Sequence, residues 1–245
     1  MKEKQLIKAD VHLHTCLSPC AEITQSPSRV IQKAFECGLN LVFITDHNSI
    51  ANTEAAIKAS GKYEGMKVYP GMEITTREEV HLLSFFENMA DAVSVQEYIN
   101  KYLPDVFFEK EKDDQIIANE FDEVEGFYGK SLFSAVDLSL DELIELVHKN
   151  NGLATAAHID RQSFSVISQL GFIPPDSSFD ALEISPNMTL DKAKEVYKEY
   201  MAKFKFIKGS DSHSLNTLGN VWTEYYSDDN SFKGFREYLK GYLNG

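Results

Sequence analysis

The chain has 245 residues, of which 43% are hydrophobic and 25% are charged, a composition typical of a globular protein. Its formal net charge of −14 argues against a duplex nucleic acid as partner, because a surface of that sign repels the phosphate backbone. A small phosphorylated substrate is not excluded, since cations inside a pocket can invert the local field.

Targeting and membrane segments are not expected from this sequence. The opening residues, MKEKQLIKADVHLHT, lack the apolar run of about 7–15 residues that a secretory signal contains. No run approaches the roughly 20 apolar residues of a membrane span. We therefore expect a cytoplasmic protein without a membrane partner, and three cysteines in a reducing compartment predict no disulfide framework.

Short apolar runs alternate with amphipathic patterns along the chain, which predicts βα units and a largely parallel sheet or barrel. Ser26 followed by Pro27 is typical of a helix start. The predicted strands lie at 6–13, 41–45, 67–73, 80–86, 153–157, 180–184, 204–209 and 221–226. The predicted helices lie near 27–37, 51–60, 93–102, 139–150, 163–169, 189–201 and 231–243.

One stretch, 104–136, interrupts this alternation because it carries many charges and no clean helical period. We predict a single domain, 1–245, with this stretch as an inserted excursion that forms a hairpin around Asp122 and Glu123. Long excursions are usually functional or mobile. A lid over the site and a solvated loop fit the sequence equally well.

Six of the seven histidines lie at predicted strand ends; the seventh, His148, lies within a helical pattern and predicts a surface or packing role. The carboxyl ends of parallel strands meet on one face of a barrel, so these side chains should converge. His12 and His14 are two residues apart on one strand and therefore point to the same side, where Asp10 can join them or orient one of them. The full set of converging candidates is His12, His14, His47, Glu73, His81, His158, Asp211 and His213.

A single histidine is most often a hydrogen-bonded structural residue, so each of these positions is weak evidence when taken alone. Five separate strand-associated segments that carry His, Asp or Glu are much harder to explain without a metal. Packing favours apolar residues at such positions, since every buried polar group must find a partner. The sequence therefore predicts a metal cluster.

These motifs, in this order, resemble the PHP (polymerase and histidinol phosphatase) family of metal-dependent phosphoesterases, from residue 7 to about residue 226. The resemblance implies an α/β fold, a distorted seven-stranded βα (TIM-like) barrel. The most similar branch contains stand-alone members related to nucleoside 3′,5′-bisphosphate phosphatases and short-oligonucleotide exonucleases. The motifs that carry it are Asp10-x-His12-x-His14-Thr15, Thr45-Asp46-His47, Glu73, His81, His158 and Asp211-x-His213.

The resemblance implies two or three divalent metal ions, and mixed His and carboxylate ligands fit zinc, manganese or iron. Several family members have a histidine six residues after the second His of the pair, where this chain has Cys20. A thiolate is a competent zinc ligand, so Cys20 either completes the third site or marks a weak or vacant one. The implied ligand sets are His12, His14, Glu73 and Asp211 for the first metal, Glu73, His81 and His158 for the second, and His47 and His213 for the third.

A phosphate ester is the expected substrate, and we predict attack by a metal-bound hydroxide on a phosphomonoester of a small metabolite or nucleotide. Arg161 suits bidentate contact with phosphate oxygens, although on position alone a salt bridge to a carboxylate is as good an interpretation; the resemblance favours phosphate. Asp46 could be a ligand, a proton acceptor or the residue that orients a ligand histidine, and we favour the orienting or acid–base role.

Three other functions compete with this prediction. One is an exonuclease acting on short oligonucleotides, and another is a non-catalytic metal-binding PHP-like module. The third is an amidohydrolase-like enzyme, since those barrels also begin with a His-x-His pair. Such enzymes typically need a lysine ligand in the middle of the barrel, and no predicted strand end here offers one.

Overall fold

The computed structural model describes residues 4–105 and 115–241. The strands are β1 Gln5–Asp10, β2 Leu41–Ile44, β3 Lys67–Thr75, β4 His81–Phe85, β5 Ile116–Ala118, β6 Val124–Phe127, β7 Leu153–Ala156, β8 Ala181–Glu183, β9 Lys205–Ile207 and β10 Thr223–Ser227. The helices are α1 Pro27–Glu36, α2 Thr53–Ser60, α3 Met89–Ile99, α4 Leu140–Lys149, α5 Val166–Leu170, α6 Leu190–Val196, α7 Lys198–Met201 and α8 Phe232–Lys240. None of these helices is long and apolar enough to cross a bilayer.

Eight strands form one curved sheet in the order β10-β1-β2-β3-β4-β7-β8-β9. The pairs β1–β2, β2–β3, β7–β8 and β8–β9 are parallel, whereas β4 is antiparallel to both of its neighbours and β10 is antiparallel to β1. Strands alternate with helices in most of the chain, and most neighbouring strands are parallel, as the βα pattern predicted. The reversal of β4 was not predicted, and it places the start of β4, not its end, at the carboxyl face.

The barrel closes where the continuation of β1 meets the segment that follows β9. Leu13 and Ser212 form a parallel bridge, the Asp211 amide donates to the His12 carbonyl at 2.7 Å, and the His14 amide donates to the Ser212 carbonyl at 3.1 Å. Seven strands, β1 to β4 and β7 to β9, thus form the ring, with β10 beside β1 as an additional strand. The predicted distorted seven-stranded TIM-like barrel is confirmed.

Alternation within the strands separates two apolar layers. Leu41 and Phe43 of β2 face a cluster that contains Phe235 of α8, and the Phe43 and Phe235 ring centroids are 5.1 Å apart. Val42 and Ile44 face the outer cluster shared with α1 and α2. Helix α8 therefore packs its aromatic rings into the interior cluster of the barrel, and the converging polar side chains occupy the carboxyl end.

The boundaries of two helices differ from the predicted ones. The helix predicted at 93–102 begins at Met89, because the Asn88 side chain caps it by accepting from the Asp91 amide at 3.0 Å. The helix predicted at 189–201 is divided into α6 and α7. Of the helix predicted at 231–243, the last two positions lie outside the described residues.

The excursion at 104–136 contains the hairpin β5–β6, with Asp122 in the left-handed region at φ 65°; its positions 106–114 lie outside the described residues. The Ile116 amide donates to the Cys16 carbonyl at 3.1 Å, and Asn52 donates to the Ile116 carbonyl at 3.0 Å. The hairpin is therefore hydrogen-bonded to the loop that follows His14.

Candidate metal centre

The candidate ligands lie on segments whose backbone is held by hydrogen bonds between strand ends. Glu73 donates its amide to the Asp46 carbonyl at 3.1 Å and accepts from the Asn48 amide at 2.9 Å. His158 and Asp211 have positive φ angles of 29° and 47°, an unfavourable backbone region for residues other than glycine. Strain of this kind persists where the surrounding structure fixes it and is concentrated at functional sites.

Four ligand atoms converge on one point, from the segment that follows β1, from β3 and from the segment that follows β9. The Nε2 atoms of His12 and His14 are 3.2 Å apart. Each lies 3.3 Å from Glu73 Oε2, and their distances to Asp211 Oδ1 are 3.3 and 3.4 Å. Metal–ligand bonds of about 2.0–2.2 Å in a tetrahedron separate the ligand atoms by roughly 3.3–3.6 Å. This donor set therefore fits a divalent cation of zinc-like coordination.

Glu73 connects this group to a second one through its other oxygen. Glu73 Oε1 lies 2.7 Å from His81 Nδ1 and 3.2 Å from His158 Nε2. Oε2 faces His12 and His14 and also lies 3.2 Å from His47 Nδ1. The carboxylate is almost fully buried, with 1% of its surface exposed. A carboxylate with histidines at both oxygens is arranged to bridge two cations, the role implied for Glu73 by the sequence resemblance.

A third group brings together ligand nitrogens of His14, His47 and His213 within 4.8 Å of one another. His213 donates from Nδ1 to the Asp211 carbonyl at 2.9 Å, so its Nε2 lone pair is available to a metal. Cys20 is not a member of any such group among the described residues. Its exposed thiol lies instead on the wall of a cavity beside Asp211 and His213, so its role as a ligand stays a prediction.

A buried carboxylate that we did not predict orients the first group. Both oxygens of Glu183, at the end of β8, lie 3.0 to 3.1 Å from His12 Nδ1, and Oε2 also accepts from the His158 amide at 2.9 Å. An acceptor at Nδ1 fixes the tautomer that presents Nε2 to a metal. Glu183 lies at the carboxyl end of a predicted strand, like the ligands themselves, and this position was the signal in the sequence.

We expect Glu183→Gln to weaken metal binding about 10–100-fold, the usual effect of losing such a partner. The amide keeps the size of the side chain but removes the charge that faces His12 and His158. The measurement is a competition titration with a chromophoric chelator, with the exposed Glu87→Gln as matched control. An unaltered metal affinity would show that His12 binds metal equally well without a carboxylate at its Nδ1.

Asp46 lies behind the cluster, where it fixes the loop after β1. It accepts from Thr15 through both the amide and Oγ1 at 2.7 Å each and from Ser18 Oγ at 2.7 Å. Ser18 Oγ lies 2.9 Å from His14 Nδ1, and burial raises the pKa of Asp46. Of the three roles considered for Asp46, these contacts favour the orienting one, exerted on His14 through Ser18.

Arg161 lies at the exposed edge of the centre, where its Nη2 pairs with Asp211 Oδ2. The salt bridge predicted for Arg161 is therefore present, and its partner Asp211 is a candidate metal ligand. The same position leaves Arg161 next to the place where a phosphate would bind the metals. With 39% of its side chain exposed, the guanidinium retains N–H donors that can face a bound substrate.

Metal uptake should depend steeply on pH. Burial alone would lower the pKa of His14, but its hydrogen-bonded partners Asp211 and Glu73 outweigh burial and raise that pKa to about 9. A metal must displace this proton, so below pH 9 the apparent affinity of the first site should rise about tenfold per pH unit for each proton released. Burial and the neighbouring His14 lower the pKa of His213 to about 4, so His213 adds no such dependence above pH 5. The measurement is the metal affinity from chelator competition between pH 6 and 8, with the chelator calibrated at each pH. A metal affinity that does not change with pH would contradict the expectation.

Three adjoining clusters of candidate ligands, made of His and acidic side chains, lie at the carboxyl end of this barrel. This arrangement is typical of a protein that binds several metal ions. The family model for the PHP domain matches residues 10–243, and the chain belongs to this family of metal-dependent hydrolases.

One sequence relative and two solved structures are similar to this chain. The uncharacterized protein MJ1587 of Methanocaldococcus jannaschii is 31% identical over 104 residues, which cover 39% of this chain and 60% of that protein. The lesion-specific endonuclease EndoQ of Pyrococcus furiosus superposes with a TM-score of 0.77 at 20% identity, over 97% of this chain and 56% of that one. A proposed metal-dependent phosphoesterase of Bifidobacterium adolescentis superposes with a TM-score of 0.59 at 19% identity, over 96% of both chains. The matched segments thus cover little more than half the length of each of the first two.

Proposed function

We propose that this protein is a metal-dependent phosphoric ester hydrolase that acts on a phosphomonoester of a small metabolite or nucleotide. The observation that carries the proposal is the position of Glu73, whose two oxygens face two separate sets of histidines. We further propose two or three divalent cations, with zinc, manganese and iron as the candidates that fit these donors.

Two sets of residues in this chain would hold the cations. His12, His14 and Asp211 would hold one cation, His81 and His158 would hold another, and Glu73 would serve both. When bound, such cations neutralise the phosphate charge and make a water nucleophilic near neutral pH. The oxygen of a water molecule would bond to phosphorus while the ester P–O bond breaks, and a proton of that water would pass to the leaving oxygen, so that orthophosphate and the free alcohol are the products.

Arg161 supports a substrate with one terminal phosphate. Its guanidinium is held beside Asp211, so it can contact an oxygen of a phosphate that lies on the metal centre. The net charge of −14 gives no long-range attraction for a polyanion. We therefore propose a small phosphorylated substrate and no duplex partner.

The test is phosphate release from a panel of phosphomonoesters by protein loaded with each metal in turn, with metal content measured in parallel. We expect release with at least one of zinc, manganese or iron, and loss of release in His12→Ala and Asp211→Ala. No release with any metal at full occupancy would refute the phosphomonoesterase proposal; if the nuclease substrates described below are not cleaved either, a non-catalytic metal-binding module is favoured.

A nuclease is the second candidate, and the fold supports it. EndoQ, whose name describes a lesion-specific endonuclease, superposes on 97% of this chain. Exonuclease action on short oligonucleotides needs only that a terminal phosphodiester reach the centre. Short single strands and a lesion-bearing duplex in the same panel, assayed at several salt concentrations, separate these activities from phosphomonoesterase activity.

A further inference from the structure

A cavity of about 630 Å³ opens beside Asp211 and His213. Its volume lies within the range of roughly 300–1,000 Å³ found for small-molecule sites. The segment after β8 forms one wall, and the segment that follows Asp211 forms another. If the phosphate of a substrate binds at the metal centre, the alcohol part of that substrate can therefore lie in this cavity.

The chemistry of the lining is polar but uncharged over most of its extent. Asn187, Thr217 and Asn220 contribute amide and hydroxyl groups, whereas Pro186 and Val221 contribute an apolar strip. Amides and hydroxyls can both donate and accept hydrogen bonds. Such a lining matches a molecule with several hydroxyl groups and C–H faces between them.

The charge of the lining argues against a second phosphate. No lysine or arginine is among the described residues that line the cavity, and Glu22 places a carboxylate there. The amide of Glu22 donates to the His213 carbonyl at 2.8 Å, which fixes this residue beside the metal centre. Lys208 lies behind the wall, where its ammonium donates to the Met188 carbonyl at 2.6 Å.

We propose that this cavity binds the alcohol part of the substrate, and that this part is a neutral, hydroxyl-rich group of the sugar class without a second phosphate. The inference rests on the proposed function, in which one phosphate is bound by the metal centre and Arg161. It narrows that function to singly phosphorylated substrates with a sugar-like leaving group.

A matched pair of substrates tests the charge argument. Metal-loaded protein is assayed with fructose 6-phosphate and with fructose 1,6-bisphosphate, and calorimetry gives the affinity of each. A like charge within several ångströms of a carboxylate at a protein surface is strongly unfavourable, so we expect the monophosphate to have a KM about tenfold lower. Glu22→Gln should lower the KM for the bisphosphate by a larger factor than the KM for the monophosphate, whereas Glu87→Gln should change neither.

A second variant tests recognition of the hydroxyl groups. Asn187→Leu keeps the size of the side chain and removes its amide, so we expect the KM for fructose 6-phosphate to rise about 3–10-fold, the effect of one or two hydrogen bonds. The KM for p-nitrophenyl phosphate, whose leaving group carries no sugar hydroxyls, should rise less than the KM for fructose 6-phosphate, and the metal content should stay the same.

The outcomes separate this inference from the proposed function. Release from p-nitrophenyl phosphate together with a lower KM for the bisphosphate would overturn the inference alone. Equal effects of Asn187→Leu on both substrates would overturn it as well. No release from any substrate would contradict the proposed function, and the calorimetric affinities of the two fructose phosphates would still decide the inference.

Discussion

Glu73→Gln should abolish phosphate release and reduce metal content, because one substitution removes an anionic ligand from two sets of histidines. The side chain keeps its size, but its oxygen and nitrogen can no longer bridge two cations as a charged group. The loss of several kcal/mol of charge stabilisation corresponds to a fall in kcat of more than about 10³-fold. Steady-state kinetics and elemental analysis of the same preparation measure the two effects.

Glu87→Gln is the matched control for this prediction. Glu87 is exposed and follows the end of β4. Because β4 is antiparallel to β3, its end lies at the opposite face of the barrel from Glu73. Activity of Glu73→Gln within tenfold of the unmodified protein, at equal metal content, would show that no bridging carboxylate is required.

Much of the site could be predicted because its ligands obey a positional rule. Alternation in a predicted strand placed His12 and His14 on one side, and the other ligands were predicted at strand ends, so convergence could be inferred without coordinates. In the structure β1 ends at Asp10 and both histidines lie in its continuation, which is bridged at Leu13 to Ser212. His81 obeys the rule only because β4 is reversed: it begins its strand, and the antiparallel pairing of Thr75 with His81 brings it beside Glu73.

The supporting contacts could not be predicted in the same way. Glu183 obeys the positional rule at the end of β8, but no neighbouring histidine marks it, and only the barrel shows that its partner is His12, 171 positions away in sequence. The contact between Ser18 and Asp46 likewise spans two loops. Serine and aspartate are common in loops for local reasons, so nothing in their spacing distinguishes an orienting pair from a turn.

In the proposed function Arg161 contacts the substrate phosphate, so we expect Arg161→Ala to lower kcat/KM for phosphomonoesters about 10–100-fold. This is the effect of losing a charge-assisted hydrogen bond of about 1.5–3 kcal/mol. The inhibition constant of inorganic phosphate should rise by a similar factor, since the product presents the same oxygens to the guanidinium.

Arg161 also pairs with Asp211, so the substitution could act through the metal centre instead of the substrate. Metal content and chelator competition separate the two routes, because contact with phosphate predicts unchanged metal affinity. Arg161→Lys adds a second distinction: it keeps the charge but loses the planar fork, so a phosphate contact predicts partial recovery of phosphate inhibition. If Arg161→Ala loses metal while phosphate inhibition of the remaining holoenzyme is normal, Arg161 positions Asp211 and does not bind the substrate.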